Sequence, residues 1–201
     1  VDYLNVTQLG NPLLSALLGS ALQQKNSFLL DKLGQKVVSD KVTLLDEPHL
    51  VGASGARYFD AEGVATEPRA IFEEGVLKTY FIDTYNAKKM EVEPTISSPS
   101  LLVMKPGSKD LNGLIADVKN GILVTGFNGG NCNSSTGDFS YGIEGFLIEN
   151  GKLTQPVNEM NITGNMLTLW NSLVAIGNDA PDNRSWRIPS LVFEGVNFSG
   201  L

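Results

Sequence analysis

The sequence predicts an α+β fold built mainly from an antiparallel β-sheet with hairpins, and two turn signals carry this prediction. Asn150-Gly151 separates two apolar runs in GFLIENGKLTQPV, and Glu74-Gly75 does the same in AIFEEGVLKTYFIDTY. A two-residue turn of type I′ needs positive φ at both central residues, which Asn and Gly adopt readily. No regular alternation of strands and helices is present, and no glycine motif for a dinucleotide or a phosphate occurs. These observations indicate an antiparallel sheet rather than a doubly wound parallel one.

An apolar helix is predicted near the N-terminus. Asn11 followed by Pro12 is typical of a helix N-cap and first turn. The residues that follow recur at helical spacing, namely Leu13, Leu14, Leu17, Leu18, Ala21 and Leu22. We expect this helix to be buried, either against the sheet or against a partner chain.

Shorter elements are predicted along the rest of the chain. Two further short helices are expected, one at Asp110–Asn120 stopped by Gly121 and one after the N-cap Asn165 stopped by Gly177. The other predicted elements are a short helix from Phe28 to about Gln35, a strand from Val37 to Asp46, a helical turn at Asn86–Met90 and a last strand from Ile188 to Phe198.

The composition is that of a folded domain. With 201 residues, 42% of them hydrophobic and 18% charged, the chain is long enough to bury one sizeable core. A net charge of -7 without a cluster of Lys and Arg argues against a nucleic-acid partner. No apolar run approaches the roughly 20 residues of a membrane span, and a single cysteine excludes an internal disulfide. We therefore expect no nucleic acid, no membrane and a cytoplasmic location.

The stretch from Gly126 to Gly145 is rich in glycine and small polar residues and lies between apolar, strand-like runs. It is predicted to be a loop that contacts a substrate or another chain, because glycines allow close approach and neutral polar side chains offer donors and acceptors. A plain connection whose glycines serve turn geometry is the alternative. The candidate substrate-binding residues are Asn128, Gly129, Gly130, Asn131, Cys132, Asn133, Ser134, Thr136 and Asp138.

Four segments carry a resemblance to a known family. The longest is GGNCNSSTGDFSYGIEGFLIENGKLTQPVNEMNITGN, from Gly129 to Asn165, and the others are SFLLDKLGQKV, FDAEGVATEPRAIFEEGVLKTYFIDTYNAKKM and IGND. Together they resemble the TldD/PmbA family, once called modulators of DNA gyrase and regarded as metallopeptidases. The resemblance covers nearly all of residues 1–201 but only the C-terminal half of a full-length member. It therefore implies that an N-terminal domain precedes this one in the complete protein.

The same resemblance implies where a zinc site would lie. Catalytic members carry H-E-x-x-x-H on a helix, in which two histidines bind zinc and the glutamate activates water, and a cysteine near the C-terminus is the third ligand. Here the motif falls on GNPLLS, with Gly10 and Ser15 at the histidine positions and Asn11 at the glutamate position. The expected cysteine region, Asn183–Pro189, contains no cysteine. We expect no cofactor in this chain, and zinc only in a catalytic partner.

The residue types lead to the same expectation without the resemblance. A catalytic zinc site needs about three His, Cys or carboxylate ligands, and the chain has one His and one Cys. His49 lies in a turn, where we expect a structural or solvated role. Cys132 is expected to be an ordinary thiol rather than a nucleophile, because only His49 could serve as its base. Asp138 is expected to shape the loop by accepting backbone N–H groups, with a substrate contact as the alternative.

Two function classes remain open. By resemblance, the chain is part of a metal-free PmbA-like (TldE-like) subunit, inactive alone, that pairs with a zinc-bearing TldD-like subunit and helps bind unfolded or short peptides for proteolysis. The peptide would be held as a strand added to a sheet edge. The alternative is a binding or scaffold module, a homodimer without protease activity. A third hypothesis is hydrolysis by a different mechanism.

Overall fold

The structure, a computed structural model, describes residues 1–200, which form five α-helices and eleven β-strands. The helices are α1 (Thr7–Ser15), α2 (Gly19–Gln23), α3 (Thr84–Met90), α4 (Leu111–Asp117) and α5 (Met166–Asn171). The strands are β1 (Leu44–Asp46), β2 (Arg69–Glu73), β3 (Val76–Leu77), β4 (Leu102–Met104), β5 (Asn120–Cys132), β6 (Asp138–Glu149), β7 (Lys152–Asn165), β8 (Leu173–Ile176), β9 (Trp186–Arg187), β10 (Leu191–Phe193) and β11 (Asn197–Ser199). All paired strands are antiparallel except β4 and β9. The predicted α+β class is confirmed.

The first predicted hairpin connects β2 and β3. Glu73 pairs with Val76, and the two turn residues, Glu74 and Gly75, have φ of 47° and 82°, as a type I′ turn requires. The hairpin lies at one end of a five-stranded sheet with the order β3-β2-β1-β4-β9.

The second predicted hairpin connects β6 and β7. Glu149 pairs with Lys152, and Asn150 and Gly151 have φ of 50° and 78°. These strands belong to a four-stranded sheet with the order β11-β7-β6-β5, in which β6 is paired on both sides and β5 is an edge strand. The strands β8 and β10 form a separate pair.

The N-terminal helix is present, but its predicted start at Asn11-Pro12 is wrong. α1 begins at Thr7 and contains Pro12 in its interior. It starts earlier because Asp2 forms a turn that leads into the helix: Oδ1 of Asp2 accepts the N–H of Asn5 at 3.0 Å. This turn lies outside the predicted helix signal, and Val6, the N-cap residue of α1, makes no side-chain capping hydrogen bond.

The helix predicted to continue as far as Leu22 is interrupted. Leu18 is extended, with ψ of 141°, because the chain pairs there with a distant residue. The N–H of Phe81 donates to the carbonyl of Leu17 at 2.9 Å, and the N–H of Gly19 donates to the carbonyl of Phe81 at 2.7 Å. A second helix, α2, starts only after this bridge.

The apolar face of α1 belongs to the core of the chain itself. Leu9 and Leu13 of α1 are at most 2% exposed, and Leu17, two residues beyond the helix, is fully buried. Leu13 and Leu14 line a residual void of about 10 Å³ together with side chains of β1, β2 and β4. Of the two expected environments, burial against the sheet of this chain is therefore the one observed, and contact of this helix with a partner chain stays a prediction.

The helix predicted at Asp110–Asn120 is confirmed as α4, with the first residue of that range as its N-cap. It ends at Asp117, and the predicted stop at Gly121 is wrong because that glycine already belongs to β5. The early end follows from the β6–β7 turn, since the N–H of Gly151 donates to the carbonyl of Val118 at 2.8 Å.

Asn165 is confirmed as the N-cap of α5, because its side chain accepts the N–H of Leu167 at 3.0 Å. The helix ends at Asn171, so the predicted stop at Gly177 is wrong. The chain leaves the helix because Leu173–Ile176 pair as β8 with β10.

Three other local predictions change, whereas the helical turn at Asn86–Met90 is confirmed within α3. Residues 28–35 form turns rather than a helix, and Asp31 within them has a φ of 58°. The predicted strand Val37–Asp46 is reduced to β1, because Val37, Val38 and Val42 hydrogen bond to Gly75 in the β2–β3 turn instead. The predicted last strand is divided into β10 and β11.

We expect Leu13→Ala to lower the free energy of unfolding by about 2–5 kcal/mol, because removing a leucine that is only 2% exposed leaves a cavity. Ser15→Ala, at an exposed position on the same helix, should change it by less than about 0.5 kcal/mol. Urea unfolding followed by circular dichroism measures both variants. Unchanged stability of the Leu13→Ala protein would contradict the placement of α1 in the core.

Candidate functional site

The glycine-rich stretch is the end of a β-hairpin, so its prediction as one loop over Gly126–Gly145 is wrong. β5 continues to Cys132 and β6 starts at Asp138, which leaves only residues 133–137 as a loop. The strand conformation persists because alternate side chains of β6 enter the core. These side chains are Phe139, Tyr141 and Ile143.

The loop at the tip of this hairpin is held by its own polar groups. Oδ1 of Asn133 accepts the N–H groups of Ser135 at 2.9 Å and Thr136 at 3.2 Å. The N–H of Gly137 donates to the carbonyl of Asn133 at 2.7 Å. Two of the predicted binding residues, Asn133 and Thr136, therefore shape the tip.

A distant segment attaches to the outside of the tip. The N–H of Phe28 donates to the carbonyl of Ser134 at 3.0 Å. Oδ1 of Asn26 accepts the hydroxyl of Ser134 at 2.8 Å and also that of Ser135. The sequence analysis missed Asn26, and no local pattern could have found it because it lies 108 residues before Ser134.

Asp138 shapes the base of the tip through side chains rather than through the predicted backbone N–H groups. Its carboxylate accepts the side-chain amide of Asn165 at 3.0 Å and the hydroxyl of Thr136 at 2.7 Å. These hydrogen bonds hold the pKa of the exposed Asp138 carboxyl below its usual value, and the bond from Asn165 has the larger effect. The group is thus an ionised acceptor at neutral pH.

Four of the predicted binding residues lie along the outer edge of β5. All four are exposed, and they are Asn128, Gly129, Gly130 and Asn131. The part of β5 that precedes these residues is covered by the N-terminal segment. The N–H of Asp2 donates to the carbonyl of Val124 at 3.3 Å, and the side-chain amide of Asn5 donates to the carbonyl of Thr125 at 2.8 Å.

Beyond this covered part the edge of β5 is open. Within the described residues 1–200, the main chain of Phe127–Cys132 hydrogen bonds only with β6. An edge strand with unpaired N–H and C=O groups can accept another extended chain as an added strand. We refer to Phe127–Cys132 as the open edge.

Glu144 of β6 reaches over β5 at the start of the open edge. It pairs with Gly126, and a β-carbon built on Gly126 would lie 2.7 Å from Cγ of Glu144. Oε2 of Glu144 accepts the side-chain amide of Asn128 at 3.3 Å. The sequence analysis missed Glu144, because a glycine opposite a charged residue is a signal only once the register of the strands is known.

Cys132 is a half-buried thiol without a base. The pKa of this thiol is raised above its ordinary value, mainly by burial and to a smaller extent by the charge of Asp138. A raised pKa disfavours the thiolate that a nucleophile needs. His49 hydrogen bonds with the hydroxyl of Thr66 at 3.2 Å and not with Cys132. Both observations favour the ordinary thiol that the sequence predicts.

The positions of the zinc motif do not fit a metal ion. Gly10 has no side chain, and a β-carbon built there would lie 2.7 Å from Cζ3 of the Trp186 indole. That indole comes from the region in which the resemblance places a cysteine. Asn11 and Ser15 are exposed, and their neutral amide and hydroxyl are not the His, Cys or carboxylate ligands that zinc prefers.

The rest of residues 1–200 offers no other metal centre, since no group of three or more His, Cys, Asp or Glu side chains in that range could hold an ion. None of the helices described there combines the length and the apolar character that crossing a membrane requires. An apolar groove of about 940 Å³ lies between α4, the β5–β7 sheet and β10, and no candidate binding residue lines it.

Comparison with known proteins identifies the family. The model of the PmbA/TldA metallopeptidase C-terminal domain matches residues 5–200. The metalloprotease PmbA of Escherichia coli O157:H7 is 31% identical over 196 residues, which are 96% of this chain and 44% of that protein.

Solved structures agree with this match. A proposed modulator of DNA gyrase from Bacteroides thetaiotaomicron is 75% identical, with a TM-score of 0.98, over 100% of this chain and 46% of that one. TldE from Thermococcus kodakarensis is 26% identical, with a TM-score of 0.88, over 98% of this chain and 48% of that one.

The fold and these matches define a C-terminal domain of the metallopeptidase type. The chain belongs to the PmbA/TldD metallopeptidase family, which confirms the predicted resemblance. It spans between 33% and 44% of the length of the curated relatives that it matches.

We expect Thr136→Val to raise the pKa of the Asp138 carboxyl toward its ordinary value of 3.8, because the variant loses one hydrogen bond to the ionised form. A lowered folded-state pKa stabilises the fold above the unfolded-state pKa, and this contribution is lost as the pH falls through the folded-state value. Titration of the carboxyl carbons by NMR measures the shift.

The matched control for this titration is Asp83, whose pKa is lowered by the side-chain amide of Asn86. Its titration midpoint should be the same in the Thr136→Val protein and in the unaltered protein. An unchanged midpoint for Asp138 would show that the hydroxyl of Thr136 does not stabilise the carboxylate.

Proposed function

We propose that this chain is part of a metal-free, PmbA/TldE-type subunit that holds an unfolded or short peptide while a zinc-bearing TldD-like partner cleaves it. The observation that carries the metal-free part is the packing of Trp186 against Gly10, which leaves no room for a side chain that binds zinc. Asn11, at the position of the general base, has no carboxylate to activate water. Family membership supports proteolysis as the process that the subunit serves.

The open edge of β5 supports the peptide-binding part of the proposal. A peptide added along Phe127–Cys132 would gain main-chain hydrogen bonds, each with a net contribution of about 0.5–1.5 kcal/mol. Such bonds demand little of the peptide sequence, which suits unfolded substrates. The open edge begins where the segment that leads into α1 stops covering β5, so the bound peptide would start beside the helix that carries the motif positions.

We expect the purified full-length protein to contain no stoichiometric zinc and to support peptide hydrolysis only after a TldD-like subunit is added. A TldD-like relative with an intact H-E-x-x-x-H motif, purified in parallel, should hold about one zinc per chain. Elemental analysis and a cleavage assay measure the two quantities. One zinc per chain in this protein would contradict the proposal, and a homodimer that never increases the activity of a TldD-like subunit would support the scaffold alternative.

The peptide-binding mode can be tested with isomeric peptides, because N-methylserine and threonine contain the same atoms. We expect an extended peptide with central N-methylserines to bind the full-length protein about tenfold or more weakly than its serine parent, since each methyl group removes one main-chain donor. The matched control with threonines should bind within about threefold of the parent. Fluorescence anisotropy measures the affinities. Equal binding of the two isomers would rule out strand addition.

A further inference from the structure

We propose that the open edge of β5 prefers extended peptides that carry lysine or arginine, because Glu144 places an unpaired carboxylate over this edge. The inference rests on the peptide-binding function proposed above and adds a substrate class to the same site.

The position of Glu144 depends on a glycine, which has no side chain, at the opposite position in β5. Its strand partner in β5 is Gly126, and Cγ and Cδ of Glu144 lie 2.7 and 2.9 Å from a β-carbon built on that glycine. The carboxylate therefore occupies the space above β5 that any other residue would fill with its own side chain. The carboxylate also reaches Asn128, from whose side-chain amide it accepts a hydrogen bond at 3.3 Å.

The charge of Glu144 is not neutralised by the protein. The four ion pairs among residues 1–200 do not include Glu144, and its one hydrogen-bond partner there is the neutral amide of Asn128. Asp138, at the other end of the open edge, is also a carboxylate. With a net charge of -7 for the whole chain, this edge attracts cationic peptides and repels anionic ones.

The spacing of β-strands brings a peptide side chain within reach of this carboxylate. An added strand would lie about 4.8 Å outside β5, with every second side chain on the face that Glu144 occupies. Residues of opposite charge that meet on one face of a sheet attract each other. Lysine and arginine are long enough to extend across Gly126, whereas glutamate in the same place would meet a like charge.

The test compares three peptides of about ten residues that alternate threonine with lysine, glutamine or glutamate, because alternation places the variable residues on one face. Their affinities for the full-length protein are measured by fluorescence anisotropy at low ionic strength. We expect the lysine peptide to bind about two- to fivefold more tightly than the glutamine peptide, and the glutamate peptide to bind more weakly than either.

The variant Glu144→Gln should remove most of the lysine preference, expressed as the ratio of the dissociation constants of the glutamine and lysine peptides within one protein. The matched control is Glu149→Gln, which removes the same charge from an exposed position at the far end of β6 and should keep the ratio. Added salt should reduce the ratio in the unaltered protein.

The outcomes separate this inference from the proposed function. Equal binding of all three peptides, or a lysine preference that survives Glu144→Gln, would overturn the charge preference and leave the peptide-binding function standing. Failure of all three peptides to bind would overturn both. Loss of the preference in the Glu149→Gln protein as well would assign it to net charge rather than to Glu144, and would also overturn the inference.

Discussion

The pairing of β6 with a neighbour on both sides is the constraint on which the candidate site depends. Phe139 and Tyr141 of β6 enter the core with their ring centroids 5.4 Å apart, so a slip by one residue would turn both rings to solvent. β5 follows β6 as far as the pair of Cys132 with Phe139. Buried aromatic side chains therefore fix the position of the open edge, and the polar residues along it are held in place before any ligand arrives. Such preorganisation lowers the entropic cost of binding.

A packed core and a metal site exclude each other at the beginning of α1. The space beside Gly10 is filled by the indole of Trp186, which β9 brings to the five-stranded sheet. The resemblance implies that metal-binding members place a histidine and a cysteine ligand in the corresponding space. The difference is therefore more than the absence of three ligands, because a large apolar side chain has taken their volume and stabilises the fold by burial. Restoring the ligands alone would not restore a site.

The features that the sequence predicted correctly depend on close neighbours along the chain, such as the two hairpin turns and the N-cap Asn165. The features that it missed depend on distant partners. The break at Leu18 is caused by pairing with Phe81, the tip is attached through Asn26, and the role of Glu144 appears only in the register of two strands. The residue types alone predict that zinc ligands are lacking. The packing that fills their place can be recognised only in the folded structure.

The irregular shape of β5 would disfavour pairing of the open edge with a second copy of the chain. A flat edge strand is a template for edge-to-edge association. Here the register with β6 shifts twice, between Val124 and Gly126 and between Phe127 and Gly130, and Gly129 and Gly130 have φ of 76° and 104°. Such bulges bend and twist the strand, so two folded copies, both negatively charged, would not match along its length. An unfolded peptide can follow the bend, at a cost of about 1–2 kcal/mol for each residue that it orders. Under the proposed function, the same irregularity would disfavour self-association along this edge and favour ligands that have no fold of their own.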